Sequence, residues 1–110
     1  MRKFVGRLFA LALVSAAAVP VQAGDAAAGE QRARVCASCH GPAGISRVPA
    51  YPSLAGLDQD YLIAAMNAYR NNERRGGMAN IMRAQMSGLT EQDIANLAAY
   101  YASLPSPGAP

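Results

Sequence analysis

The clearest helical pattern in the chain lies close to its C-terminus. Apolar and aromatic residues recur there at positions i, i+3, i+4 and i+7, which places them on one face of an α-helix: Ile94, Leu97, Ala98 and Tyr101. Thr90 is followed three residues later by Asp93, an approximate capping box that predicts where this helix starts. The Pro-Ser-Pro-Gly run after Leu104 predicts that it ends there.

Two further helices are predicted upstream of this one. A middle helix begins after Asp58 and carries an apolar stripe formed by Tyr61, Leu62, Ala65, Met66 and Tyr69. Strong helix formers dominate residues 26–34, for which Asp25 is the predicted N-cap. Gly29 costs this helix about 1 kcal/mol relative to alanine, so we expect a packing reason for it. Because a bare glycine lets a bulky ring come close, we pair Gly29 with Tyr100 in a crossing of the first and last helices.

Extensive loops separate the predicted helices. Residues 41–57 and 74–80 are rich in Gly, Pro and Ser, and no stretch of the chain shows a convincing strand pattern. Loops of this extent in so short a chain indicate that they line a bound group rather than connect strands. The pattern therefore predicts an all-α domain whose loops wrap a cofactor.

The first 23 residues have the features of a secretory signal peptide. A basic start, an apolar run and a set of small residues at the cleavage position follow one another: Arg2, Lys3 and Arg7, then Leu8 to Val19, then Val21, Gln22 and Ala23. The alternative is a membrane anchor, but a spanning helix needs about 20 apolar residues. We predict removal of residues 1–23, one domain over 24–104 and a flexible tail over 105–110.

Removal of this leader changes the charge of the protein. The whole chain has a formal net charge of +3, but three of its ten basic residues lie in the leader. The seven arginines that remain balance seven acidic residues, so the mature protein is formally neutral. No dense basic stripe survives that would favour nucleic-acid binding, and we expect no stable membrane insertion.

The residues with the most distinctive chemistry are Cys36, Cys39 and His40. Two cysteines three positions apart, followed at once by a histidine, form the attachment signature of a c-type haem. Positions i and i+3 share a helical face, so both sulfurs can reach the vinyl groups along one side of a porphyrin. Neutral imidazole is a common axial ligand of haem iron. We therefore predict one covalently bound haem with His40 as a ligand.

Other interpretations of the cysteine pair are less consistent with the chain. A thioredoxin-type dithiol belongs near a strand–helix–strand pattern. A structural zinc site needs about four Cys or His ligands, whereas the chain has two cysteines and one histidine. A structural disulfide is compatible with export, but it leaves His40 unexplained.

Spacing alone does not determine the second axial ligand. With no second histidine in the chain, the candidate is a methionine sulfur. Met78, Met82 and Met86 all follow the haem motif at intervals of four residues. The same interval fits an apolar helical stripe in which methionine only fills space. The residues by themselves therefore leave three candidates.

Four blocks of the sequence occur in an order that is typical of one protein family: GDAAAG at 24–29, CASCHG at 36–41, YPSLAGL at 51–57 and IMRAQMSGLTEQDIANLAAYYASL at 81–104. With these blocks the chain resembles the class I c-type cytochromes, most closely one half of the bacterial dihaem cytochromes of that class. The resemblance implies a small all-α fold in which the N- and C-terminal helices cross and loops wrap one covalent haem c. This chain has one such domain where the dihaem proteins have two.

The same resemblance implies further site residues. In that family the ligating methionine lies seven residues before the leucine that precedes the last helix; here the leucine is Leu89 and the methionine is Met82. A backbone carbonyl in the loop with Pro52 would accept a hydrogen bond from His40 Nδ1–H and so fix the imidazole tautomer. On general chemistry alone, four arginines could pair with haem propionates: Arg47, Arg70, Arg74 and Arg75.

The function that the resemblance implies is electron transport in the periplasm. The iron would cycle between ferric and ferrous states, no substrate would be transformed, and a monomer would dock weakly and transiently with redox partner proteins. Two alternatives stay open at this point. One is a haem subunit or docking module of a larger oxidoreductase, and the other is a gas-binding haem protein with an open sixth position.

Overall fold

The computed structural model describes residues 2–17 and 19–109 and is built from helices. They are α1 (Ala26–Arg32), α2 (Ala37–His40), α3 (Gln59–Arg70), α4 (Ala79–Met86) and α5 (Glu91–Ser103), with a short 3-10 helix at Pro42–Gly44. No strand occurs within the described ranges, which agrees with the predicted all-α class. Three residues of the predicted leader and tail lie outside the described residues: Met1, Ala18 and Pro110.

The region before α1 has no regular secondary structure in residues 2–17 and 19–25. Among the helices of the described residues, none is both long and apolar enough to cross a membrane. The boundaries proposed for the leader, the domain and the tail stay predictions.

The first and middle helices start at their predicted caps. Asp25 Oδ1 accepts hydrogen bonds from the backbone N–H groups of Ala27 at 2.9 Å and Ala28 at 3.3 Å. Asp58 Oδ2 accepts one from the backbone N–H of Tyr61 at 2.8 Å. Each carboxylate satisfies N–H groups that have no partner within the first helical turn, and its charge favours the positive end of the helix dipole. Both predicted starts are confirmed.

Two predicted boundaries are wrong. α1 ends at Arg32, two residues earlier than expected, because residues 33–36 form the turn that leads into α2. The predicted loop 74–80 is shorter than expected, because α4 already begins at Ala79. Gly76 and Gly77 have positive φ values of 88° and 49°, a conformation that glycine adopts readily. The chain changes direction at these two residues. The residues that follow are mostly good helix formers, so a helix begins directly after them.

The core lies where α5 packs against α1 and α3. Leu97 and Ala98 on α5 are at most 1% exposed, and Tyr101 lies one turn further along the same face. These side chains form one buried cluster with Ala33, which follows α1, and Leu62 of α3. Full burial of a side chain such as Leu97 stabilises the folded state by about 1.5–3 kcal/mol. The buried stripe of α5 is the one that the sequence pattern predicted.

The crossing of α1 and α5 depends on Gly29. A Cβ atom added there would overlap the backbone carbonyl of Asn96 and would lie 2.9 Å from Tyr100 Cβ. The predicted contact between Gly29 and Tyr100 is therefore confirmed, although the closest neighbour of Gly29 is the Asn96 backbone. The Asn96 side chain also accepts a hydrogen bond from the Asp25 N–H at 2.9 Å, which ties the start of α1 to the same turn of α5.

A capping box at the start of α5 contributes a second tie to α1. Thr90 Oγ1 accepts a hydrogen bond from the Asp93 N–H at 3.1 Å, and Asp93 Oδ2 accepts one from the Thr90 N–H at 3.0 Å. The same carboxylate pairs with Arg32 of α1 at 3.0 Å. The hydrogen bond from the Thr90 backbone, with a further contribution from Arg32, holds the pKa of Asp93 below its ordinary value.

We expect Gly29→Ala to destabilise the protein by about 1–3 kcal/mol, because the added methyl group forces α1 away from α5. Urea denaturation followed by far-ultraviolet circular dichroism measures the loss. Gly88→Ala is the matched control, since a Cβ added at Gly88 meets no atom within 4 Å. Equal stability of the two variants would show that the crossing tolerates a side chain.

Asp93→Asn should lower the free energy of unfolding at pH 7 by about 1 kcal/mol. The folded-state pKa of Asp93 is depressed, so its contribution is present above the unfolded value of about 3.9 and is lost as pH falls through the folded pKa. Urea titrations at pH 7 and pH 3 should therefore show a larger difference between wild type and variant at pH 7. A difference of the same size at both pH values would contradict this account.

Candidate haem-binding site

The residues that the sequence analysis proposed for the site come together at one cavity. This cavity has a volume of about 650 Å³ and opens between α2, the loop 50–52 and the segment 74–86. Its walls include all five proposed residues: Cys36, Cys39, His40, Pro52 and Met82. Apolar and aromatic side chains form much of the remaining lining, which is typical of a cofactor site of this size.

Helix α2 and the turn before it present the two cysteines. The carbonyl oxygen of Cys36 accepts hydrogen bonds from the N–H groups of Cys39 at 3.2 Å and His40 at 2.9 Å, so the motif forms one helical turn. Both thiols are free, which gives no support to the disulfide interpretation. The two sites differ, because Cys39 is exposed whereas Cys36 packs partly buried against the core. That burial raises the pKa of the Cys36 thiol.

One hydrogen bond holds the imidazole of His40, which is only 7% exposed. Nδ1 lies 2.7 Å from the backbone carbonyl oxygen of Pro52, to which it donates when the ring is neutral. This bond selects the tautomer with the proton on Nδ1, so the lone pair of Nε2 is available for a metal. Within the part of the chain that the structure describes, the ring makes no other hydrogen bond.

The loop that carries Pro52 has no regular structure, but hydrogen bonds hold it beside α2. The carbonyl oxygen of Gly44 accepts a hydrogen bond from the Leu54 N–H at 2.8 Å. Ser53 Oγ accepts another from the Ser46 N–H at 2.9 Å. These contacts come directly after Pro52 in the chain, so they keep its carbonyl within reach of the imidazole without a helix or a strand.

Another wall of the cavity consists of α4 and the residue before it. Met78, Met82 and Met86 are four residues apart, so they follow one helical face, and all three line the cavity. Met86 is 3% exposed and Met78 is 42% exposed, whereas Met82 has intermediate burial. The structure therefore brings every candidate sulfur to the site. Met66 is not among the lining residues and packs against the hydrophobic core.

Polar contacts from α3 and the turn after it hold this methionine-bearing wall. Arg70 at the end of α3 donates a hydrogen bond to the carbonyl of Leu89 at 3.1 Å, and its guanidinium lies 3.6 Å from Glu91 Oε1. Asn72 Oδ1 accepts a hydrogen bond from the Arg83 guanidinium at 2.7 Å. The first contact fixes the junction of α4 and α5, and the second fixes the middle of α4.

Two of the four arginines that were considered for propionates line the cavity, namely Arg74 and Arg75. The guanidinium carbon of Arg74 lies 4.6 Å from the centroid of the Tyr69 ring, a cation–π contact that orders this side chain. Arg70 is already engaged with α4 and α5, and Arg47 is not among the lining residues. Lining residues that had not been proposed as site residues include Tyr69, Ile81 and Gln85.

The arrangement fits a haem. The lining is largely apolar, a buried imidazole offers one nitrogen ligand, and several methionine sulfurs stand along another wall. Two free thiols one helical turn apart stand at the cavity wall, next to the imidazole. A helical fold with this combination defines the class of c-type haem proteins.

Comparison with known proteins identifies the family. The family model described as Cytochrome c matches residues 26–105. The chain is 47% identical over 81 residues to cytochrome c-554(548) of Halomonas halodenitrificans, and the alignment covers 74% of this chain and 98% of that protein. The chain therefore belongs to the cytochrome c family. It is an electron carrier with one covalently bound haem c that interacts with redox partner proteins.

Solved structures of related proteins share the fold. Reduced recombinant cytochrome c4 from Pseudomonas stutzeri is 34% identical, with a TM-score of 0.67, over 76% of this chain and 47% of that chain. Thiosulfate dehydrogenase from Marichromatium purpuratum is 36% identical, with a TM-score of 0.70, over 87% of this chain and 22% of that chain. The predicted class I fold and the resemblance to one half of a larger cytochrome are confirmed. This chain spans about half the length of the cytochrome c4 chain.

Proposed function

We propose that this cytochrome is exported to the periplasm and carries electrons there between redox partner proteins, without itself transforming a substrate. The single observation that carries the proposal is that all five proposed site residues line one largely apolar cavity. The basic start, apolar run and small residues of the first 23 positions support export. A carrier needs one buried redox group, and a largely apolar cavity that collects all five residues suits that requirement.

In this proposal Cys36 and Cys39 would hold the haem through their sulfurs, and His40 Nε2 and the Met82 sulfur would bind its iron. When bound, the haem supplies a one-electron ferric/ferrous couple. Pro52 accepts the hydrogen bond from Nδ1 and so keeps the imidazole in the tautomer that can ligate. Support for Met82 comes from its position on the cavity side of α4 and from the spacing in the family that the sequence resembles.

The surroundings of the site favour a raised reduction potential. A methionine ligand raises the potential compared with a second imidazole. The apolar lining acts in the same direction, because burial of a ferric centre with net positive charge costs more than burial of a neutral ferrous one. Arg74 and Arg75 are the charged side chains of the described lining, and their positive charge complements haem propionates.

Partner proteins should bind this carrier weakly and briefly. The mature chain is formally neutral once the leader is removed, so electrostatic steering should be modest and the salt dependence of association shallow. Redox complexes that exchange electrons in transient encounters typically bury less than about 1,200 Å² of surface in total. We propose that the protein works in this manner as a monomer.

A second candidate function is a haem subunit or docking module of a larger oxidoreductase. The similarity to a thiosulfate dehydrogenase, with a TM-score of 0.70, favours it. Size-exclusion chromatography of protein purified from its native host separates the two cases. We expect the carrier to elute alone at the size of one chain, and co-elution with a stoichiometric partner would instead support the subunit.

Visible spectroscopy of leucine variants tests the proposed axial ligand. Met82→Leu should abolish the iron–sulfur charge-transfer absorption of the ferric protein and lower its midpoint potential, since leucine keeps the volume but has no sulfur. Met78→Leu and Met86→Leu are matched controls on the same wall of the cavity and should keep the absorption. A denaturing haem-stain gel run beside the spectra should show covalent haem in all three, and none in Cys36→Ala/Cys39→Ala.

Other outcomes of the same variant series would change the ligand assignment or contradict the proposed function. Loss of the absorption in Met78→Leu or Met86→Leu, but not in Met82→Leu, would assign the sulfur ligand to that residue. Absence of the absorption from wild type, together with ready binding of carbon monoxide, would contradict the carrier and support a gas-binding protein with an open position. A wild-type chain that fails to stain for haem would contradict the proposed attachment.

A further inference from the structure

The hydroxyl group of Tyr101 is buried in the core and has no hydrogen-bond partner among the described residues. The side chain is 3% exposed in the core cluster of α5. Its Oη is the one buried side-chain oxygen or nitrogen of the described residues that has no hydrogen-bond partner. Leaving such a group without a partner costs about 1–3 kcal/mol relative to a satisfied one. The electron-carrier site described above does not use this hydroxyl.

The ring of Tyr101 is held so that the hydroxyl has little freedom. A Cβ added at Gly44 would lie 2.9 Å from Tyr101 Cδ1, so the ring lies directly against the Gly44 backbone. The neighbouring Tyr100 ring also packs against it, with centroids 5.0 Å apart and an interplanar angle of 54°. Phenylalanine in place of Tyr101 would make the same contacts. These ring contacts therefore do not require the hydroxyl.

The polar group beside this hydroxyl is the thiol of Cys36. Cys36 packs against the same core cluster as Tyr101, and each of the two groups influences the pKa of the other. Burial, followed by the charge of the neighbouring Cys36, raises the pKa of Tyr101 well above its ordinary value. The hydroxyl is therefore protonated at every physiological pH and can act as a hydrogen-bond donor.

Haem attachment changes what Cys36 offers to this donor. When the thiol adds to a vinyl group, an S–C bond replaces the S–H bond, and the hydrogen goes to the other vinyl carbon. The resulting thioether sulfur has no proton to donate and can only accept. A buried donor without a partner then lies beside a partly buried sulfur that can only accept a hydrogen bond.

We propose that Tyr101 Oη donates a hydrogen bond to the Cys36 sulfur in the haem-bound protein, and that Tyr101 is thereby a positioning residue for that edge of the haem. The inference rests on the proposed attachment of haem to Cys36. A donor at the sulfur withdraws electron density from the porphyrin edge, which stabilises the ferrous state and raises the midpoint potential. Cys39 is exposed, so the two tethers are not equivalent.

Tyr101→Phe in the haem-bound protein tests this, with Tyr100→Phe as the matched control. Both variants should stain for covalent haem and keep the axial-ligand spectrum of wild type. Tyr101→Phe should have a lower midpoint potential by spectroelectrochemistry, whereas Tyr100→Phe should match wild type. A purely structural role of the hydroxyl would alter stability but would leave the potential unchanged, and that result would overturn the proposal.

A measurement on wild type keeps the test independent of how well the variant folds. In nuclear magnetic resonance spectra of the ferrous protein, the Tyr101 hydroxyl proton should exchange slowly and show a nuclear Overhauser effect to the Cys36 β protons. Contact of that proton with a buried water instead would overturn the proposal. Wild type without covalent haem would remove the proposed function itself, whereas stained wild type with no such contact would remove only the role of Tyr101.

Discussion

The close crossing of α1 and α5 at Gly29 is the contact on which the site depends. Because no side chain separates the two helices there, the Asn96 backbone and Tyr100 can lie directly on α1. The cysteine motif begins only a few residues after α1, so its position against Leu97 and Tyr101 is set by this crossing. One missing side chain thus places Cys36 and Cys39, the two proposed haem tethers, relative to the core.

The rest of the site is built from irregular chain that a small core supports. Domains of this size bury little apolar surface on their own and usually need an additional constraint. Here that constraint is a covalent haem, which offers apolar surface to residues that otherwise face a cavity, such as Met82 and Tyr69. Cofactor binding and folding are therefore linked, because the residues that contact the haem also bury their apolar surface against it.

Much of this could be predicted from the sequence, since the informative signals are local. The periodicity of α5, the carboxylate caps at Asp25 and Asp58 and the haem motif depend on residues a few positions apart. The extent of α4 could not be predicted in the same way, because its methionines suit a loop ligand and a helical stripe equally well. The surroundings of the Tyr101 hydroxyl could not be predicted either. The pattern shows that position 101 is buried, but not that its neighbour is a cysteine 65 positions earlier. Such contacts arise only when distant segments pack.

Arg70 and Asn72 contact the wall that carries the three methionines. These contacts bear on the rate of electron transfer. They join that wall to α3 through charged or amide groups rather than through apolar packing alone. We expect a framework tied down in this way to keep nearly the same shape in both oxidation states, because its dipoles are already oriented before the charge changes. Little internal rearrangement should then accompany each electron transfer. Because the rearrangement is small, the activation barrier to electron transfer should be low.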